Sequence, residues 1–254
     1  RQQNANRIHL IYRHKKYQSS TYRESFPLFV PSNDTHVNWM TRIAEKTPGA
    51  KFMIFPSKNE QADKSLLDLR VNYYLYSPGI LKVIHPSVII LGIDWGPEEM
   101  MINLEAKLLN IPTICIQEGP LLFNNIQNHM SHADIAFIQG EVMRKYVFNK
   151  HVYVTGNPKY DQYKFQSLPE KCKVMINCNF TYGVYEDRRN DWIADSINAC
   201  EEVGLDFFIS QHPRDKGIFP PDFPIIKSNA TKVKDQLEIS SILISRFSTL
   251  IYEA

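Results

Sequence analysis

Residues 88–119 read VIILGIDWGPEEMMINLEAKLLNIPTICIQEG, and this stretch decides the fold. Val88, Ile89, Ile90 and Leu91 form a short aliphatic run with the density of a strand buried on both faces of a parallel sheet. Pro97 stands where a first helical residue belongs. Glu98 and Glu99 follow in the first turn, where carboxylates suit the helix dipole. Met101, Leu104, Ala106, Leu108 and Leu109 are expected to hold that helix in the core as far as Asn110. A second apolar run starts at Thr113. Strand, helix, strand in this order argues for parallel βαβ units.

The same alternation extends outward. Upstream, the pattern predicts a strand over 7–12, a Pro-containing loop over 13–33 and a helix capped by Asp34 or Thr35 that runs to Lys46. Val37, Met40, Ile43 and Ala44 give that helix its apolar face. A strand over 51–55 ends at Pro56. Residues 57–75 read as partly helical, with Tyr73, Tyr74 and Tyr76 as packing residues. Ser77-Pro78 opens a short helix to Ile84. Downstream, strands are expected over 135–138 and 152–155, with a helix over 140–148 between them. Gly156-Asn157-Pro158 reads as a crossing between two halves. Beyond it lie predicted strands over 173–178, 206–211, 225–227 and 242–245, a strong helix over 187–203, and a last helix opening at Ser248. The expectation is an α/β chain of two Rossmann-type doubly wound parallel-sheet domains facing a cleft. They would span 1–156 and 157–254, the second lacking at least one strand and helix, as in a piece of a longer protein.

Composition narrows the function. With 254 residues, 43% of them apolar, the chain can bury a real core. A formal charge of +2 makes no case for nucleic acid. The four cysteines show no CxxC spacing, so they read as thiols in a reducing compartment, not as a zinc or disulfide framework. His129 and His132 stand i, i+3 with no third ligand near them in sequence, so no metal site is expected. Sequons at Asn33, Asn179 and Asn229 are read as chance triplets. No apolar run is long enough to cross a membrane. These features fit a cytoplasmic protein that visits the inner membrane face.

Candidate site residues fall at strand ends and helix starts. Asp94 and Glu118 close neighbouring predicted strands. Two carboxylates there can hold different pKa values and serve as acid and base. Asp94, at a strand edge that would point into the cleft, reads as general base on an acceptor hydroxyl or as proton handler in an epimerase, with a cap for the helix at Pro97 as the alternative, and both acids read also as plain loop residues. His212 closes the strand of Ser210-Gln211-His212-Pro213-Arg214-Asp215, at the carboxyl edge where α/β sheets bind ligands. It can stabilise a departing diphosphate, or simply fix the turn before Pro213. Arg214 adds a positive contact or is a solvated loop charge. Ser248 and Thr249 can bind phosphate at a helix start, cap that helix, or do both. Asn157 faces a nucleotide or serves the crossing.

The order Gly92-Ile93-Asp94, Asn110-Ile111-Pro112-Thr113 to Glu118-Gly119, Asp134-Ile135-Ala136-Phe137-Ile138 and Val154-Thr155-Gly156-Asn157-Pro158 resembles the superfamily of GT-B glycosyltransferases and non-hydrolysing UDP-N-acetylglucosamine 2-epimerases. His212-Pro213-Arg214-Asp215 and Ser248-Thr249 with Glu253 look closer to bacterial surface-carbohydrate transferases of the capsule, lipopolysaccharide and CDP-glycerol glycerophosphotransferase groups. The resemblance implies that the second half holds a nucleotide diphosphate, with His212 on the diphosphate, Ser248 and Thr249 on phosphate and Glu253 on ribose. It implies no bound metal and no cofactor beyond a nucleotide-sugar donor of UDP, CMP or CDP type. The expected activity is transfer of a sugar or polyol phosphate to a growing surface glycan or lipid-linked glycan. The alternatives are a UDP-sugar 2-epimerase and a non-catalytic nucleotide-sugar binding module.

Overall fold

The computed structural model describes residues 25–254 except 57–59, 120, 122–128, 162–166, 168, 182–184, 230–231 and 247. The strand expected over 7–12 lies outside the described residues. The chain divides into two compact units, Arg1–Gln162 and Tyr163–Ala254.

The first unit is a seven-stranded, wholly parallel sheet. In chain order its elements are β1 (Pro27–Val30), α1 (Asp34–Ala44), β2 (Lys51–Ile54), α2 (Glu60–Asp68), β3 (Tyr73–Leu75), α3 (Ile80–Ile84), β4 (Val88–Leu91), α4 (Pro97–Leu108), β5 (Thr113–Ile116), β6 (Ile135–Ile138) and β7 (Val152–Val154). The spatial order is β3-β2-β1-β4-β5-β6-β7, so the winding reverses between β1 and β4. Side chains alternate across the sheet. Leu28, Val30, Ile89 and Leu91 join a core beneath α3 and α4 that includes Leu81, Ile84, Ile102 and Ala106. Phe29, Phe52, Ile54 and Ile90 join another beneath α1 and α2, with Val37, Trp39, Met40 and Leu66. Burial on both faces is why these strands read as continuous apolar runs.

The second unit has β8 (Lys173–Cys178), α5 (Arg189–Glu202), β9 (Asp206–Gln211), β10 (Ile225–Lys227), α6 (Lys232–Glu238) and β11 (Ile242–Ser245). Its sheet order is β10-β9-β8-β11, all parallel, so the winding reverses between β8 and β11. Val174, Ile176 and Ile209 pack on Ile193, Ile197 and Cys200 of α5. Met175 and Phe208 face the other way, against Leu250, with Val233 and Leu237 of α6 alongside.

Several expectations are corrected. The stretch read as loop over 13–33 contains β1, an interior strand of the sheet between β2 and β4. Its Pro27 is tolerated because it is the first strand residue. Tyr73, Tyr74 and Leu75 form a strand, not the end of a helix. Residues 141–146 and 249–252 are 3₁₀ turns, not α-helices. The helix α6 was not expected. The phase of α4 also differs: Met101, Leu104 and Leu108 are exposed, and Glu99, Ile102, Asn103 and Ala106 are buried. The polar pair is accommodated because the Asn103 amide donates to the Glu99 carbonyl at 2.8 Å and Glu99 accepts from Ser32.

Candidate active site

The carboxyl ends of β1 and β4 lie side by side, with Val30 opposite Leu91. A reversal of winding at such a point opens the crevice in which α/β sheets take ligands. After β1 the chain reads Pro31-Ser32-Asn33-Asp34-Thr35-His36. Asn33, not Asp34 or Thr35, caps α1: its side-chain oxygen accepts the His36 N–H at 2.8 Å. The cap sets the first turn and brings the fully buried His36 imidazole against Gly92. A Cβ at Gly92 would lie 2.5 Å from two ring atoms, so glycine is required there for space.

His36 Nδ1 accepts the Ser32 N–H at 3.1 Å. A ring nitrogen that accepts carries no proton. The proton therefore sits on Nε2, which donates to Glu118 Oε2 at 2.7 Å. Burial pushes the Glu118 carboxyl up. The neighbouring His36 and Lys159 and a hydrogen bond from the Asn33 side chain outweigh it and hold the group below its ordinary 4.5. The Glu118 side chain is 27% exposed and that of His36 is 0% exposed. The carboxylate is thus the member of the pair that a ligand can reach.

A web of amides fixes the backbone around Glu118. Gln139 Nε2 donates to the Glu118 carbonyl at 3.0 Å, and the Gln139 N–H to Gln117 Oε1 at 3.0 Å. Gln117 Nε2 donates to the Gly119 carbonyl at 2.7 Å. Asn157 lies in the first unit, 5% exposed. Its Nδ2 donates to the Gln117 carbonyl at 2.7 Å, and its Oδ1 accepts the Lys159 N–H at 2.8 Å. Both ends of its amide are engaged inside the unit, where it holds this strand end.

Asp94 corrects two expectations. It is fully buried, not set at an open edge, and Gly96 takes the cap position of α4. Asp94 Oδ2 accepts the His132 and Ala133 N–H groups at 2.8 and 3.0 Å, which fixes the turn into β6. Trp95, beside it, is 42% exposed. Glu99 is more than a dipole residue: Ser32 Oγ donates to its Oε1 at 2.6 Å, and it folds back over Gly96, where any Cβ would strike the carboxylate. The sequence reading missed His36, Ser32, Asn33 as a cap, Gln117 and Gln139. The available signal was a histidine one residue before Val37 on an otherwise apolar helix face, directly behind a capping Asn.

In the second unit, the ends of β8, β9 and β11 carry Asn177, His212 and Ser245. Asn177 Nδ2 donates to Ser245 Oγ at 3.0 Å across the reversal point. The half-buried His212 accepts the Arg214 N–H on Nδ1 at 3.2 Å, which leaves Nε2 as a donor. Burial moves its pKa down, against a partial pull upward from Asp215. Arg214 itself is exposed. Asp215 is the buried hub of the loop. Arg189 Nε donates to both its oxygens at 3.1 Å, and the Gly217 N–H and Cys178 Sγ donate at 2.9 and 3.2 Å. Burial raises the Asp215 pKa, but these donors prevail and hold it below 3.8. Ser248 caps a single 3₁₀ turn by accepting the Leu250 N–H at 3.2 Å, with Thr249 opening that turn and Glu253 ending it. Among the described residues, no group of three or more His, Cys, Asp or Glu is placed to hold a metal ion.

No family model and no curated protein sequence matches the chain. Solved structures do. MurG of Acinetobacter baumannii superposes with a TM-score of 0.57 at 11% identity, over 89% of this chain and 75% of that one. The spinosyn rhamnosyltransferase SpnG, complexed with thymidine diphosphate, gives 0.51 at 11%, over 86% and 74%. The UDP-GlcNAc 2-epimerase of Neisseria meningitidis, bound to UDP-GlcNAc, gives 0.50 at 15%, over 89% and 74%. The fold is of the GT-B type. Both winding reversals carry the polar side chains described above.

Two outcomes follow. Gly92→Ala forces the His36 ring off its two partners and is expected to cost about 1–3 kcal/mol, as overpacking does. Thermal unfolding reads the loss, and an unchanged Tm contradicts the packing described. Arg189→Met strands a buried carboxylate and is expected to cost about 3–5 kcal/mol at neutral pH. Since the folded pKa of Asp215 lies below the unfolded 3.8, its stabilisation is full above 3.8 and is lost as pH falls through the folded value. Without Arg189 burial prevails, the folded pKa of Asp215 rises above 3.8 and the sign inverts: the variant's deficit at neutral pH shrinks as pH falls through the raised value, which stability measured against pH reads.

Proposed function

We propose that this protein is a glycosyltransferase that moves a sugar, or a polyol phosphate, from a nucleotide-activated donor to a growing bacterial surface polysaccharide. The observation that carries the reading is the Glu118 carboxylate, reachable, held ionised and aimed by the buried His36 beside the winding reversal of the first unit. An ionised carboxylate in that place accepts the proton of an acceptor hydroxyl as the hydroxyl oxygen bonds to the sugar's donor carbon, or to the phosphorus of a polyol phosphate. The bond from that atom to the nucleotide leaving group breaks, and the leaving group takes the electron pair.

The second unit, by itself, carries polar groups suited to a nucleotide diphosphate. His212 Nε2–H, free to donate because Nδ1 accepts from Arg214, meets the phosphate charge. Arg214 adds a positive contact. Ser248 Oγ accepts from Leu250 and so keeps its own O–H to donate, and Thr249 stands beside it. Glu253 is assigned to the ribose. Asp94 acts by positioning the turn at His132 and Ala133. The reading asks for no metal ion and no further cofactor. It places the protein in the cytoplasm, with a glycan or lipid-linked glycan as acceptor. The likeness to a rhamnosyltransferase that holds thymidine diphosphate supports nucleotide-diphosphate binding.

The test is calorimetric titration with UDP, CDP and CMP, then transfer assays with sugars on the preferred nucleotide. Glu118→Gln is expected to lower turnover at least ~100-fold, as loss of a general base does, with nucleotide affinity kept. His212→Ala is expected to weaken nucleotide binding roughly tenfold, the cost of one hydrogen bond to a charged group. Full activity of Glu118→Gln overturns the assignment. Conversion of UDP-GlcNAc without an acceptor replaces the transferase by an epimerase, and absence of nucleotide binding leaves a non-catalytic module.

A further inference from the structure

Glu99 is buried deeper than its place in the first turn of α4 requires. Glu98 already offers the helix dipole a carboxylate from that turn, yet Glu99 is 1% exposed. A carboxylate goes inside at a cost unless a donor meets it. Among the described residues that donor is the Ser32 hydroxyl, on Oε1, while Oε2 is buried with no partner. The same serine turns its backbone N–H to His36 Nδ1. Glu99, Ser32, His36 and Glu118 therefore make one line of contacts, from α4 through the turn between β1 and α1 to the end of β5. Two glycines leave room for it. The three atoms nearest a Cβ at Gly92 belong to the His36 ring, and those nearest a Cβ at Gly96 to the Glu99 carboxyl group. Gly96 has extended backbone, φ −66° and ψ 151°, so space and not conformation calls for glycine there.

We propose that Glu99 is a positioning residue for Glu118, acting through Ser32 and His36. The imidazole offers Glu118 its Nε2–H only while Nδ1 accepts, and Nδ1 accepts only while the turn holds the Ser32 N–H against it. The Asn33 cap fixes the chain from α1 onward. Ser32 precedes that cap, and its hydroxyl ties it down instead. At 2.6 Å, the bond to Glu99 lies in the range of strong, charge-assisted O–H···O bonds. The inference rests on the reading of Glu118 as the base that accepts the hydroxyl proton.

Carboxyl- and nitrogen-detected NMR of the full chain tests it in Glu99→Met, Gly96→Ala and Glu99→Gln. Glu99→Met keeps the volume and removes the acceptor. Gly96→Ala keeps Glu99 and pushes its carboxyl group away. Both are expected to loosen Ser32, to move proton occupancy from His36 Nε2 toward Nδ1, and to raise the Glu118 titration, since burial then meets less opposition. The charged groups that act on Glu118 among the described residues are His36 and Lys159, and no variant alters them. Glu99→Gln still accepts from Ser32 and is expected to keep both signals near those of the unaltered protein. The sign is decisive, because loss of a nearby negative charge alone lowers a carboxyl titration. In transfer assays Glu99→Met is expected to lower turnover roughly tenfold, as misplacement of a reacting group does. Adding Ser32→Ala is expected to lower it no further, because the two residues act in series. Unmoved His36 and Glu118 signals in both Glu99→Met and Gly96→Ala overturn the inference. So does a Glu118 titration that falls in both Glu99 variants, which marks Glu99 as a charge and not an anchor. The NMR readouts need no substrate, so full activity of Glu118→Gln removes the reaction assignment and leaves this result distinct from it.

Discussion

The hydrogen bond from His36 Nε2 to Glu118 Oε2, at 2.7 Å, is the contact on which the first unit's strand ends converge. It requires Asn33 to cap α1, Ser32 to fix the imidazole tautomer, and Gly92 to leave room for the ring. It also requires Glu118 to be held in place, which Gln117, Gln139 and Asn157 do through backbone carbonyls. Residues from the ends of β1, β4, β5, β6 and β7 thus serve one carboxylate. A parallel sheet makes this economical, because all its strands end on the same edge.

The second unit solves a different problem with similar parts. There the deep ion pair of Arg189 and Asp215 is closed, with side-chain exposures of 11% and 0%. It shapes the loop that carries the half-buried His212 and the exposed Arg214. There the charged pair is buried and the imidazole is half-buried. In the first unit the roles are exchanged, since the imidazole is buried and the carboxylate is open.

The doubly wound pattern was legible where both sheet faces are covered, as in β4, β5, β8 and β9, because burial on two sides writes an unbroken apolar run. It was illegible at β1, where a four-residue strand opening on Pro27 hides in a mixed stretch. It was misread in phase on α4, where hydrogen bonds let Glu99 and Asn103 go inside and left Met101, Leu104 and Leu108 outside. Glu118 stood out as a carboxylate at a strand end. His36 did not, because its partner is 82 residues away and only the fold brings them together. Asn157 was visible as a special residue, but its Nδ2 bond to Gln117, 40 residues back, is tertiary and leaves no local trace.

The most direct measurement is a carboxyl-detected NMR titration of Glu118, assigned with Glu118→Gln and read together with the His36 imidazole nitrogens. The account expects Glu118 to titrate below 4.5, with a proton on His36 Nε2 facing it and Nδ1 accepting from Ser32. A carboxyl that titrates at or above 4.5, or a proton found on Nδ1, would contradict it.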